Sequence, residues 1–297
     1  MRWKERVNRT LRRIAGLELR RAYVSPAPEL SPAVARRAAE ARAKPRGDRL
    51  LSAPVFILSP VRSGSTLMRV LLNSHSQLHA PHELHLCDVR VDLSDYSERA
   101  MAALGLNREE LEQLLWDHLL YRELEKSGKR IFVNKTPNDI FIRDRIVACW
   151  PDARFIFLLR HPLAVLNSWH AVRSFWSVEE ATTATLRYLN AVEQARHELP
   201  GLTVRYERLT ASPETETKRV CEFLGLDWEP EMLEYGKRDP GRFEAGLGDW
   251  GARIKSGRVH PARALPGAEA VPEALRDICV AWGYLDESVR VRKETVR

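Results

Sequence analysis

Two short stretches carry residue types and spacings suited to holding an anion. The first is SPVRSGST, Ser59 to Thr66, preceded by the apolar run VFIL and followed by a helical pattern. A strand, a tight loop and a helix start in that order put the backbone N–H groups of residues 62–66 at a helix N-terminus, where they cradle a phosphate or sulfate. Aligned on Gly64, the stretch has the frame of a GxxxxGK[ST] loop, with Ser65 where the lysine would stand and Thr66 keeping the hydroxyl. Arg62 supplies the cation from inside the loop. No acid after a strand reads as a magnesium ligand, and that gap together with the missing lysine argues against phosphoryl transfer from ATP. The second stretch is RFIFLLRHPLAVLNSW, Arg154 to Trp169. It reads as a buried strand and a helix starting at Pro162, a favoured first-turn residue. Arg160 ends the strand, and Ser168 lies two turns into the helix. A forked guanidinium and a hydroxyl placed there can share a phosphate. The plain alternatives are a Gly–Ser turn before an ordinary helix and a strand-end arginine paired with a surface carboxylate.

Positioning two such loops requires a sheet. From Ala53 onward short apolar runs alternate with helical segments. Strands are expected near 54–59, 131–134, 154–159 and 202–206. Helices are expected near 65–73, 107–127, 138–149, 162–173, 179–198, 213–224 and 272–282. The alternation predicts an α/β fold, a parallel sheet flanked by helices on both faces. Residues 236–267 are rich in Gly and Pro and read as a long loop.

The chain divides into a basic helical arm, residues 1–50, and a main domain, 51–297. In the arm Trp3, Val7, Leu11 and Ile14 recur at helical spacing with arginines opposite, and Ser31 is placed to cap a second helix. Such an arm packs on the domain or meets an anionic membrane surface or a partner through residues 1–22. Its Arg-rich, acid-poor character also suits an organelle-targeting peptide.

Composition narrows the class. The 297 residues are 44% hydrophobic and 29% charged, as in ordinary globular chains. No apolar run approaches the roughly 18 residues of a membrane span, and the basic start leads into no apolar leader. Cys87, Cys149, Cys221 and Cys279 form no CxxC pair and read as reduced and buried, which suggests a cytoplasmic location. The net charge of +7 arises in residues 1–50, which hold 14 Lys/Arg against 5 Asp/Glu, so the remaining chain is slightly acidic and a nucleic-acid partner is not expected. His75, His79, His82 and His85 do not follow a common zinc spacing. An extended segment cannot turn residues 79, 82 and 85 to one side, so no metal is expected.

RSGSTLMRVLLNSH resembles the 5′-phosphosulfate loop of sulfotransferases, enzymes that use 3′-phosphoadenosine 5′-phosphosulfate, PAPS. The likeness is strongest to the branch holding protein-tyrosine sulfotransferases and many bacterial sulfotransferases, where an arginine replaces the lysine of the cytosolic enzymes. It covers roughly residues 54–230 and implies a P-loop-kinase-like fold, PAPS as donor and no required metal. By the same resemblance Arg62, Ser63, Gly64, Ser65 and Thr66 hold the 5′-phosphosulfate, and Arg160 and Ser168 the 3′-phosphate, which ATP lacks. Glu83, in HAPHELHL, falls at the offset from Arg62 where the tyrosine-sulfating relatives carry their catalytic base. Lys135, in VNKTP, matches a lysine near the transferring group, and Tyr206, in TVRYERL, a tyrosine near the nucleotide. Ser256 and Arg258, in GDWGARIKSGRVHP, match a segment closing over the donor. Cytosolic sulfotransferases use a histidine base, so His82 or His85 could assist or replace Glu83. The acceptor stays open: a hydroxyl or amine on a metabolite, glycan, lipid or peptide. Trp169, Phe175 and Trp176 line an acceptor pocket or simply the core. A P-loop nucleotide kinase and a non-catalytic nucleotide-binding scaffold are the competing functions.

Overall fold

A computed structural model describes residues 49–237 and 252–286. The helices read in the arm, the cap at Ser31 and the membrane or partner contact through residues 1–22 lie outside the described residues.

Five parallel strands form the sheet, in the order β2–β3–β1–β4–β5. They are β1 (Val55–Leu58), β2 (Leu78–His79), β3 (Ile131–Asn134), β4 (Arg154–Leu159) and β5 (Gly201–Arg205). Every residue of β1 is buried, as a strand covered on both faces must be. Alternate side chains serve opposite cores. Phe56, Leu58, Phe155, Phe157 and Leu159 point to one face, where they meet Trp116, Leu120, Leu163, Leu166 and Leu189. Val55, Ile57, Ile156 and Leu158 point to the other and meet Leu67, Met68, Leu71, Val220 and Leu224.

That division locates the site. Helix α1 (Ser65–Asn73) follows β1 and packs on one face, whereas α5 (Pro162–Val172) follows the neighbouring β4 and packs on the other. Between them lie α2 (Asp95–Ala103), α3 (Arg108–Ser127) and α4 (Arg143–Cys149); α6 (Val178–Glu198), α7 (Tyr206–Ala211), α8 (Pro213–Leu224), α9 (Ala252–Lys255) and α10 (Glu273–Ala281) come after. Where adjacent parallel strands send their helices to opposite faces, a crevice opens at the strand C-termini, and ligands bind in it. Both candidate anion-binding stretches lie there. Capping boxes start α3 at Asn107/Glu110 and α6 at Ser177/Glu180, which fixes where the longest helices begin.

Several elements differ from the sequence reading: α7 begins at Tyr206, where a strand was expected to end, and α9 lies within the expected loop 236–267. Strand β2 has two residues, too few for any periodic signal, and is held by pairing with Ile131 and Phe132. Helix α2 buries no side chain, so it has no apolar stripe to recognise. Residues 137–142, expected to open a helix, form a 3-10 turn that leads into α4. Among the described residues no helix is long and apolar enough to cross a membrane.

Candidate active site

The loop after β1 is shaped by two left-handed residues. Gly64 has φ +86°, and Arg62, unusually for a residue with a side chain, has φ +62°. They flank Ser63, and alternation of this kind turns successive N–H groups towards a common anion. Glycine is required at 64 for a second reason: a Cβ there would collide with the Tyr206 ring. The Tyr206 ring, on the first residue of α7 just past β5, therefore closes directly over the loop.

Arg160 joins the two stretches. Its Nη1 donates to the Arg62 carbonyl at 2.6 Å, and its guanidinium lies 4.7 Å from the Tyr206 ring centroid. Arg62 reaches across in turn, its Nε donating to Ser168 Oγ at 3.2 Å. Ser168, expected to work with Arg160, is thus drawn in through Arg62. Burial lowers the Arg160 pKa, with further lowering from Arg62 and Arg263, against raising by Tyr206 and Glu207. Arg263, unmarked in the sequence reading and exposed, lies within electrostatic reach of Arg160. Ser59 and Ser63 are fully buried, and their hydroxyls have no hydrogen-bond partner. Orphaned hydroxyls beside clustered arginines suit an absent polyanion.

Glu207 does different work. Its two oxygens accept from the His161 N–H at 3.0 Å and from the Tyr284 hydroxyl at 2.6 Å. It pins the start of α5, and so the backbone behind Arg160, to the C-terminal part of the domain.

Glu83 and Lys135 meet in a second cluster. One carboxylate oxygen of Glu83 pairs with the Lys135 ammonium, which is 1% exposed, and the other lies 3.5 Å from His85 Nε2. Their two segments are laced together by buried polar groups. The His85 N–H donates to Thr136 Oγ1 at 3.3 Å, and the Cys87 N–H to Asp139 Oδ1 at 3.3 Å. Asn134 Nδ2 donates to the other oxygen of Asp139 at 2.6 Å. Burial pushes the Asp139 carboxyl up to about 7. From α1, buried Arg69 donates to the Ala80 carbonyl at 3.0 Å, and Glu83 acts on it electrostatically. Burial holds the Arg69 pKa down to about 10. Sequence reasoning missed Arg69 and Asp139; the available signal was a charge inside the apolar pattern STLMRVLLN and an acid beside VNKTP.

The histidines part company. His75 is buried, bonded through Nε2 to the Asp227 carbonyl at 2.9 Å, and His79 packs edge-on against Phe132. Burial lowers the His79 pKa to about 4. His85 alone among the four has a described contact with Glu83. No group of three metal-capable side chains occurs among the described residues. Ser256 and Arg258 are exposed. Ser256 Oγ lies 2.7 Å from His260 Nε2, and the Arg258 carbonyl accepts from the Tyr235 hydroxyl at 2.7 Å. The part of the closing segment at 238–251 lies outside the described residues. A cavity of about 320 Å³ sits at the other ends of the strands, between Arg130, Phe132, Arg154 and Leu224, remote from these clusters.

A strand–loop–helix turn at a switch point, with a basic residue at the end of the next strand, is the arrangement of an α/β fold of the P-loop-kinase-like kind. Residues 54–230 match the model of the Sulfotransferase family, and the chain belongs to that family. Nodulation protein NoeE of Sinorhizobium fredii is 28% identical over 211 residues, covering 58% of this chain and 50% of that protein. A protein-tyrosine sulfotransferase of Drosophila melanogaster is 22% identical over 198 residues, covering 61% of this chain and 40% of that protein. The chain thus spans half or less of the length of these two curated relatives. The sulfotransferase domain from the Synechococcus PCC 7002 olefin synthase shares the fold, with a TM-score of 0.59 at 24% identity over 82% of this chain and 99% of that one.

Proposed function

We propose that this protein transfers a sulfuryl group from PAPS to a hydroxyl or amine of an acceptor by in-line displacement. The observation that carries the reading is the cluster of Arg62, Arg160 and Ser168, which joins the loop after β1 to the end of β4. Two anion sites so joined suit a nucleotide with phosphate groups at both its 5′ and 3′ positions. The orphaned hydroxyls of Ser59 and Ser63 fit such a ligand.

PAPS supplies an activated sulfuryl group on a good leaving phosphate. The residues of this chain do the rest. The N–H groups of residues 62–66, with the Ser63, Ser65 and Thr66 side chains, hold the 5′ end. Arg160 and Ser168 hold the 3′-phosphate, and Tyr206 covers the loop. Glu83 takes the acceptor's proton as the acceptor oxygen or nitrogen bonds to sulfur and the bond from sulfur to the phosphate oxygen breaks. Arg62 and Lys135 offset the charge that grows on the sulfuryl and leaving oxygens. Ser256 and Arg258 belong to a segment suited to closing the donor off from water.

The test is consumption of ³⁵S-labelled PAPS with a panel of hydroxyl acceptors, in the native protein and Glu83→Ala. The native protein should label an acceptor, and Glu83→Ala should lose turnover while still binding 3′,5′-adenosine bisphosphate. Native-level turnover in Glu83→Ala would move the base to His85.

A further inference from the structure

From the segment carrying Ser168 to the segment carrying Lys135 runs a chain of contacting aromatic side chains. Trp169 follows Ser168, the partner of Arg62. Its ring stands edge-on to Tyr188 at 5.4 Å and tilts against Trp176 at 5.4 Å. The Tyr188 hydroxyl bonds Asn138, three residues beyond Lys135. Burial raises the Tyr188 pKa, and Glu83 adds to the rise, so the phenol lies within electrostatic reach of the proposed base. Outward from Trp176 comes Phe175, with ring centroids 6.2 Å apart.

The outer end is exposed and largely apolar, with the Arg173 guanidinium lying over its edge, 5.9 Å from the Phe175 ring centroid and 5.7 Å from that of Trp176. Phe175 is 74% exposed, Val172 59% and Val178 65%, three apolar side chains within seven residues. The backbone that presents them is held firmly. His170 Nε2 meets the Trp176 carbonyl at 3.1 Å, the Trp176 N–H donates to the Arg173 carbonyl at 2.9 Å, and the Ser177/Glu180 capping box follows at once. Trp169 and Phe175 belong to neither hydrophobic core, while Trp176 and Tyr188 sit only at the margin of one. A rigid apolar patch continuous with a reaction centre marks a ligand surface more than a leftover of packing.

We infer that the acceptor is an amphiphile: its hydroxyl reaches Glu83, and an apolar alkyl or aryl body lies along Tyr188, Trp169 and Trp176 and out over Phe175 and Val172. The inference rests on the proposed sulfuryl transfer and names the acceptor class for that site. A free sugar would bury little of this path. A sugar or alcohol carrying an alkyl chain would gain about two- to fourfold in affinity per methylene laid on it.

The experiment uses the full chain loaded with 3′,5′-adenosine bisphosphate and titrates it calorimetrically with glucose and with hexyl, octyl and decyl β-D-glucosides below their micelle concentrations. Affinity should rise with chain length, and glucose should not bind measurably. Phe175→Ser and Val172→Ser, both at exposed positions, should flatten that dependence and leave bisphosphate affinity unchanged. Equal affinity for glucose and decyl glucoside overturns the inference, as does a chain-length dependence untouched in both variants. Binding to phosphatidylcholine vesicles, lost in Phe175→Ser, with no binding of the monomeric glucosides, also overturns it and makes the patch a membrane contact. Failure of the bisphosphate itself to bind sinks the sulfuryl-transfer reading instead, so the two failures are told apart.

Discussion

Two groups of charge sit at opposite ends of this sheet, and they are built on different rules. Near the strand N-termini, Asp117 accepts from the Leu50 N–H at 2.5 Å, the Leu51 N–H at 3.1 Å and Trp150 Nε1 at 2.8 Å. Beside it Glu112 is shared by Arg90, Arg145 and the Val91 N–H. There every acid is matched by donors, and the result is a staple. At the strand C-termini, Arg62, Arg160 and Arg263 gather while Ser59 and Ser63 go unsatisfied. The described carboxylate beside Arg160, Glu207, is already engaged by His161 and Tyr284. Satisfied charge holds the fold, whereas orphaned buried hydroxyls beside gathered cations suit a ligand.

The sharpest way to break this contrast is at Glu83 and Lys135, where the two rules meet. Glu83→Gln should lower turnover by about 10²- to 10⁴-fold, the range of a lost general base. It should also cost about 3 kcal/mol of stability, because Lys135 is left buried without its carboxylate. Glu83→Gln with Lys135→Met should recover most of that stability, read by urea denaturation, and none of the activity. Recovery of activity would make the pair structural. Arg62→Ala should cut kcat/KM by about 10²- to 10³-fold and shift Tm little.

Asp117→Ala is the mirror experiment. Two buried donors and the partly buried Leu50 N–H lose their acceptor, so stability should fall by about 3 kcal/mol, while the folded fraction keeps native kcat. A kcat loss larger than the folded fraction explains would erase the distinction. Gly64→Ala should come next. Positive φ and the contact with Tyr206 both oppose a Cβ, and bisphosphate binding should weaken by about tenfold or more.

The smallest effect is a pH slope. Asp139 is raised from its unfolded value to about 7 in the folded protein. Between those values the native state holds a proton that the unfolded state has released, so stability should fall as pH rises from about 4 to about 7 and level off above. Asp139→Asn should remove this slope from urea midpoints measured across that window.

Much of the scaffold was legible because its physics is local. The runs VFIL and RFIFLL are fully or almost fully buried strands, and the glycine of the loop announced its turn. The two-residue β2 and the exposed α2 left no periodic trace. The site was legible in part. Arg62, Glu83, Lys135 and Arg160 were marked, but which of them touch depends on tertiary geometry. Ser168 was paired in sequence with Arg160, eight residues away, and the fold brings it to Arg62, 106 residues away. Arg69 and Asp139 shape the surroundings of Glu83 through buried contacts that no pattern of spacing encodes.

The central claim is that the loop after β1 and the end of β4 form one site for a nucleotide anionic at both ends. The most direct measurement is calorimetric titration of the full chain with 3′,5′-adenosine bisphosphate and with ATP plus magnesium, repeated on Arg160→Ala. The account predicts tight binding of the bisphosphate, none of Mg-ATP, and a loss of about tenfold or more in Arg160→Ala, as for a removed charge-assisted hydrogen bond. Binding of Mg-ATP in preference to the bisphosphate, or an Arg160→Ala variant that binds the bisphosphate as well as the native protein, would contradict it.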